Sequence, residues 1–282
     1  MISVRKFLEY IKFEHTVFDL PFVWAGGVIA SQGHYDILTF LVITIAAVSA
    51  RATAMSVNRI LGKKYDVINP RKKTWPLVTG AIKSSTALQL TIVFALIFEL
   101  SAFLLNRLVL LLSPLVLVLF LTDPLLKRYT PWRHLYMGFT IGVGVLGGYL
   151  AVTPVIPSSP EVYLVFLASS LWIGGFDMIY VIPDIEFDRI NGLKTVMTQY
   201  GVRRGLAISA AVHAMTAFAF IALAFYIQSV WYYIILVPII LLIVIQHIIV
   251  DPENPRSIRM SFLGANSFIG FLFLLALVLY YM

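Results

Sequence analysis

Residues 163–188 read Tyr163-Leu-Val-Phe-Leu-Ala-Ser-Ser-Leu-Trp-Ile-Gly-Gly-Phe-Asp177-Met-Ile-Tyr180-Val-Ile-Pro-Asp184-Ile-Glu-Phe-Asp188. The first fourteen of these residues are free of charge, and they run straight into three aspartates. A stretch this apolar is suited to cross a bilayer, which takes about 20 residues of helix. The aspartates stand seven and then four residues apart, a spacing that places them on one face if the helix continues. Ionisable groups at membrane depth are expensive and mark a site with a partner. Carboxylates gathered at one end of an apolar bundle suit a hard cation such as Mg²⁺, which in turn holds phosphate. The segment therefore points to a membrane enzyme that acts on a phosphorylated lipid.

The rest of the chain extends this reading. Of its 282 residues, 60% are hydrophobic and only 12% charged, against about 25% charged in soluble domains. Nine apolar segments have spanning length, near 16–32, 37–58, 85–105, 108–126, 134–153, 162–182, 205–227, 230–249 and 260–281. No alternating segments of barrel type occur. The sequence thus predicts an all-α integral membrane protein of nine transmembrane helices around a central cavity. It would be a single domain over 1–282, made of two four-helix halves and a ninth helix. Met1-Ile-Ser-Val-Arg-Lys-Phe-Leu-Glu-Tyr-Ile-Lys12 is mixed and charged, so it reads as an interfacial helix and not as a signal peptide.

Positive charge is confined to alternate loops. Lys63, Lys64, Arg71, Lys72 and Lys73 follow the second span; Lys127, Arg128 and Arg133 follow the fourth; Arg189, Lys194, Arg203 and Arg204 follow the sixth; Arg256 and Arg259 follow the eighth. The opposite loops, such as Ser31–Asp36 and Pro154–Glu161, carry almost none. The positive-inside rule then puts the N-terminus in the cytoplasm and opens the site to that side of the cell membrane. The net charge of +7 is accounted for by loops facing anionic lipid or by a phosphate-binding surface, without nucleic acid. The absence of cysteine excludes disulfides and thiolate chemistry.

A second polar cluster follows span two: Arg51, Asn58, Gly62 and Asp66 fall on one helical stripe, and Asn69-Pro70-Arg71 comes just after. Together the two clusters resemble those of the UbiA superfamily of intramembrane prenyltransferases. That superfamily carries Asn-x-x-x-Asp-x-x-x-Asp after its second helix and Asp-x-x-Tyr-x-x-x-Asp-x-x-x-Asp after its sixth. Asn58 and Asp66 match the ends of the first motif, and Asp177, Tyr180, Asp184 and Asp188 match all of the second. Asn69-Pro70-Arg71, Lys127-Arg128, Phe13-Glu14-His15-Thr16 and Leu20-Pro21-Phe22 match shorter family features.

The resemblance implies Mg²⁺-dependent transfer of a polyprenyl group from an allylic polyprenyl diphosphate to an aromatic or other lipid acceptor, as in quinone biosynthesis. Asp66, Asp184 and Asp188 would hold Mg²⁺, joined by Asp177 and Asn58. Arg71, Lys127 and Lys194 would hold diphosphate, with Arg51, Asn58 and Asp123 also in substrate binding. Asp177, Tyr180 and Asp184 would be catalytic, Tyr180 facing the reacting carbon or orienting a carboxylate. Acceptor and chain length stay open. The physics agrees: a diphosphate leaves only when its charge is neutralised, which Mg²⁺, Arg and Lys provide, and aromatic faces stabilise the allylic cation left behind.

Three positions depart from the family pattern. Gly62 replaces the middle aspartate of the first motif, Trp75 replaces an arginine, and Asp123 replaces a tyrosine. Gly62 and Trp75 support an alternative, a divergent member that binds prenyl lipid or quinone without transferring it. A transporter with intramembrane acids is a third reading, disfavoured by the paired motifs.

Simpler roles compete at single residues. The aspartates 177, 184 and 188 could form a solvated helix end paired with Arg189 and Lys194, Arg51 could snorkel, and Asp123 could cap ahead of Pro124. Asp19 and Glu99 read as buried polar pairs or cavity contacts, His15 and His247 as interfacial residues, and His134 as a loop residue.

Overall fold

The structure, a computed structural model, describes residues 4–282, and no strand occurs among them. The helices are α1 Val4–Ile11, α2 Phe13–Ser31, α3 Ile37–Asp66, α4 Ser84–Leu105, α5 Arg107–Leu126, α6 Arg133–Val152, α7 Pro160–Tyr180, α8 Ile185–Ile190, α9 Val196–Tyr200, α10 Val202–Leu223, α11 Val230–Ile248, α12 Pro255–Arg259 and α13 Asn266–Tyr281. A π-helical segment, Met260–Ala265, joins the last two. Eight helical segments are long and apolar enough to cross a membrane, with 255–281 counted as one. They correspond to eight of the nine expected spans. The remaining one, 16–32, is the helix α2, and Glu14, His15 and Asp19 in its first two turns make it too polar to join them on composition.

Of the predicted interfacial helix, Met1–Ser3 lie outside the described residues, and the rest forms α1. Tyr10 and Ile11 are buried with Ala52, Leu77 and Ile82, while Arg5, Lys6 and Glu9 are exposed. This two-sidedness suits a helix lying along an interface.

Burial is greatest for α7, which packs against α6, α10 and α2. Close helix approach without a hydrophobic driving force in lipid needs small residues at the crossings. Gly26 on α2 and Gly148 on α6 provide them reciprocally: a Cβ on Gly26 would run into the Val145 carbonyl, and one on Gly148 into the Val23 carbonyl. On the far side of the cavity α3, α4 and α5 pack together.

Two local features bring polar residues to one end of the bundle. Helix α3 starts at Asp36, whose carboxylate accepts from the Thr39 amide at 3.0 Å. It then runs for 30 residues, about 45 Å at 1.5 Å per residue, longer than the roughly 30 Å hydrocarbon layer. Its last turns carry Asn58, Gly62 and Asp66 as a continuous helix. The second motif behaves differently from the sequence expectation. Helix α7 stops at Tyr180, a 3₁₀ turn covers Ile182–Asp184, and α8 begins at Ile185. Asp177, Asp184 and Asp188 therefore do not share one helical face. Pro183 explains the break, because it has no N–H to donate and its ring clashes with the preceding turn.

Candidate active site

The two motifs meet on one cavity of about 570 Å³. Its lining includes Arg51, Asn58, Gly62, Asp66, Arg71, Asp123, Lys127, Asp177, Tyr180, Asp184 and Asp188, so residues more than a hundred positions apart in the chain share one space. Away from this charged end the walls are apolar, with Ile43, Phe98, Val109, Leu112 and Leu119 among them.

The charged end is built from acid–base pairs. Asp66, at the end of α3, accepts from Lys72 at 2.7 Å. Asp184 accepts from Asn69 at 3.1 Å and is also paired with Arg71. This is where the Asn69-Pro70-Arg71 tail acquires its role. Asn69 caps the turn Pro70–Lys72 by accepting from the Arg71 amide at 2.9 Å, and its amide group reaches across to the second motif. Asp188 accepts from Lys127 at 2.8 Å through one oxygen, while its other oxygen is buried without a partner. Burial pushes the Asp188 carboxyl above the ordinary carboxylate range, and the Lys127 ammonium opposes that shift.

A further group sits deeper. Asp177 lies 2.7 Å from His134 Nδ1 and 3.8 Å from Arg133. Arg133 also reaches Asp123 at 3.4 Å, so one guanidinium serves two carboxylates. Asp123 thus faces the cavity already paired. Arg51 forms an ion pair with Asp19 at 3.1 Å, giving both residues the partner expected of charges at this depth. Tyr180 stands beneath the Arg71 guanidinium, 5.3 Å from its ring, and its other neighbours are Phe262 at 4.5 Å and His15 at 6.3 Å.

Several sequence expectations change here. Among the described residues, no three His, Cys, Asp or Glu side chains converge closely enough to hold a metal ion. Asp66, Asp184 and Asp188 each face a base of their own, and Asp123 and Asp177 share Arg133, which offsets the repulsion among the acids. Lys194 lies outside the cavity lining: its ammonium donates to the Tyr129 carbonyl at 3.3 Å, and its backbone N–H to the Lys127 carbonyl at 2.7 Å. It supports the loop that carries Lys127. His134, read as a loop residue, is wholly buried on the first turn of α6. The signal for it was the Arg133-His134 pair opening an apolar span. Glu99, only partly buried, accepts from Ser113 at 2.6 Å, so the polar pair forms but is not fully enclosed. His247 sits 2.7 Å from His213 on the neighbouring helix.

Comparison with known proteins agrees with this architecture. The UbiA prenyltransferase family profile matches residues 20–281. A 4-hydroxybenzoate octaprenyltransferase of Neisseria meningitidis serogroup B is 29% identical over 257 residues, covering 91% of this chain and 86% of that protein. The apo structure of a UbiA homolog from Aeropyrum pernix K1 superposes with a TM-score of 0.84 at 33% identity, over 94% of this chain and 98% of that one. A UbiA homolog from Archaeoglobus fulgidus bound to DMAPP and Mg²⁺ shares the fold, with a TM-score of 0.76 at 16% identity over 97% of this chain and 99% of that one. With the family profile spanning nearly the whole chain and both motifs facing one cavity, this protein belongs to the UbiA prenyltransferase family and is a prenyltransferase.

Proposed function

We propose that this enzyme transfers a polyprenyl group from an allylic polyprenyl diphosphate to an aromatic acceptor of the 4-hydroxybenzoate type, a step of quinone biosynthesis. The observation that carries the reading is that both motifs share one cavity, with acid–base pairs at one end and apolar walls beyond them. The charged end matches a diphosphate and the apolar walls match a prenyl chain. The naming of relatives as 4-hydroxybenzoate octaprenyltransferases supports the acceptor class. The positive loops support an orientation with the charged end and the N-terminus on the cytoplasmic side of the cell membrane.

The site's donor set fits Mg²⁺. The ligand candidates Asn58, Asp66, Asp177, Asp184 and Asp188 are all hard oxygen donors, and the buried, unpartnered oxygen of Asp188 gains a partner on binding a cation. Bound there, Mg²⁺ supplies Lewis-acid neutralisation of the diphosphate. Arg71, Lys72 and Lys127 are poised to donate charge-assisted hydrogen bonds to phosphate oxygens, the arginine in bidentate fashion. Each now holds a carboxylate, so a diphosphate entering with its counter-ions exchanges one set of ion pairs for another without leaving a buried charge alone. Tyr180, backed by Phe262 and His15, presents an aromatic surface where an allylic cation develops, worth about 2 kcal/mol or more once desolvated. The apolar walls keep water from that cation. Asp177, held by His134 and Arg133, positions the turn that carries Tyr180.

Purified protein given Mg²⁺, a polyprenyl diphosphate and 4-hydroxybenzoate is expected to form prenylated acid and release diphosphate, and a chelator to stop both. No product across a panel of prenyl donors and aromatic acceptors would overturn the proposal.

The departure at Gly62 leads to a further expectation. The nearest side-chain atoms that a Cβ at Gly62 would meet belong to the Asp66 carboxylate, at 3.7 Å, an ordinary contact. Gly62→Asp therefore fits, and adds a carboxylate one turn from Asn58 and Asp66. The Mg²⁺ concentration giving half-maximal rate is expected to fall by about tenfold, the scale on which ligand-shell changes alter metal affinity. A rise in that concentration would mean that like-charge crowding with Asp66 wins.

A further inference from the structure

The departure at position 75 has a structural counterpart. Trp75 lines the cavity, and three cations surround its indole: Arg59 at 4.1 Å from the ring, Lys72 at 4.7 Å and Lys12 at 5.9 Å. Arg59 is the buried member of the three, only 2% exposed, and it also lines the cavity, one residue after Asn58 on α3. Its guanidinium is fixed on several sides. Nε donates to the Tyr10 carbonyl at 2.6 Å, and Nη2 reaches the Glu9 carbonyl at 3.5 Å. Both carbonyls belong to the last turn of α1, where the helix dipole is negative and favours a cation. The flat guanidinium is held against the indole face, an arrangement lysine cannot reproduce.

Two things are missing from this arrangement. The third nitrogen, Nη1, is buried without an acceptor. Arg59 also has no carboxylate within ion-pair distance among the described residues. Six other cations of the cavity lining do: Lys12, Arg51, Arg71, Lys72, Lys127 and Arg133 each have one. The remaining one, Arg128, is partly exposed. A buried cation with no carboxylate at ion-pair distance, held rigidly and with both N–H groups of Nη1 unused, is costly unless an anion arrives to complete it.

We propose that Arg59, oriented by Trp75 and the carbonyls of α1, binds a phosphate oxygen of the diphosphate and so supplies the guanidinium that the family pattern has at position 75. This rests on the prenyl diphosphate reading above. Tryptophan at 75 supplies no charge itself. It supplies the flat surface that aims the charge of another helix into the site.

The test uses the full chain in detergent with Mg²⁺, and reads both the affinity for inorganic pyrophosphate and the KM for each substrate. Arg59→Met is expected to weaken pyrophosphate binding and raise the donor KM by about tenfold to a hundredfold, the scale of one lost charged hydrogen bond. Adding Trp75→Arg to that variant is expected to recover most of the loss. If Arg59→Met does not fold, Arg59→Lys is expected to weaken pyrophosphate binding severalfold, since it keeps charge but loses the fork. Unchanged pyrophosphate affinity in whichever variant folds overturns the proposal. So does a loss that Trp75→Arg fails to restore, because Arg59 would then serve only to anchor α1. A rise in the acceptor KM with the donor KM unchanged would assign Arg59 to the acceptor's carboxylate and overturn the proposal too. Wild-type protein that binds no pyrophosphate at all would instead remove the prenyl diphosphate reading on which it rests.

Discussion

Replacing Asp184 by alanine is expected to lower kcat/KM by about 10²–10³, the cost of removing one preorganised electrostatic group from an active site. Asp184 is the residue on which both motifs converge. It takes a hydrogen bond from Asn69 and an ion pair from Arg71, so its loss leaves the first motif's tail without its partner in the second. Two contributions are therefore combined: one oxygen ligand fewer for Mg²⁺, and an Arg71 no longer fixed above Tyr180. Asp184→Asn separates them, since it retains an acceptor for Arg71 but lacks the carboxylate charge. Single-turnover assays over a range of Mg²⁺ read the difference. Asp184→Asn is expected to need more Mg²⁺ while keeping donor affinity closer to wild type than Asp184→Ala. A wild-type rate and Mg²⁺ dependence in Asp184→Ala would remove Asp184 from the site.

Arg133→Leu is expected to destabilise the protein by about 3–5 kcal/mol, the usual cost of stranding a buried charge. Arg133 is 7% exposed and serves Asp123 and Asp177 together. Without it Asp123 has no remaining basic partner among the described residues, and Asp177 keeps only His134. Loss of folded protein and a lowered thermal midpoint in detergent would report this. Adding Asp123→Leu to Arg133→Leu removes one of the stranded charges and is expected to recover part of the midpoint, since well-packed apolar residues replace buried ion pairs with little loss. An Arg133→Leu midpoint equal to wild type would show that water or lipid headgroups reach these acids.

Two of the signals in this sequence are local. Apolar runs of spanning length dictate helices, since lipid satisfies no backbone hydrogen bond, and eight of the nine expected spans are helices of that kind. Alternation of positive loops puts both motifs at the same end of the bundle. The stripe of Arg51, Asn58, Gly62 and Asp66 survives intact because α3 is unbroken to Asp66. The second stripe does not survive, and the cause was visible in the sequence as Pro183; periodicity arguments assume a continuous helix, and proline ends one.

What the sequence by itself determined was an all-helical membrane chain of the prenyltransferase family with two acidic motifs and their bases gathered at one end. Only the tertiary structure decided who pairs with whom. Arg133 is shared between Asp123 and Asp177, His134 is buried against Asp177, Asn69 crosses to Asp184, and Arg59 lies on Trp75. Lys194, as basic as its neighbours, turns away to the Tyr129 carbonyl. Such pairings depend on how closely helices approach and at what rotation, which glycine crossings such as Gly26 against Val145 set. Those crossings join residues far apart in the chain, and no local period or propensity encodes them.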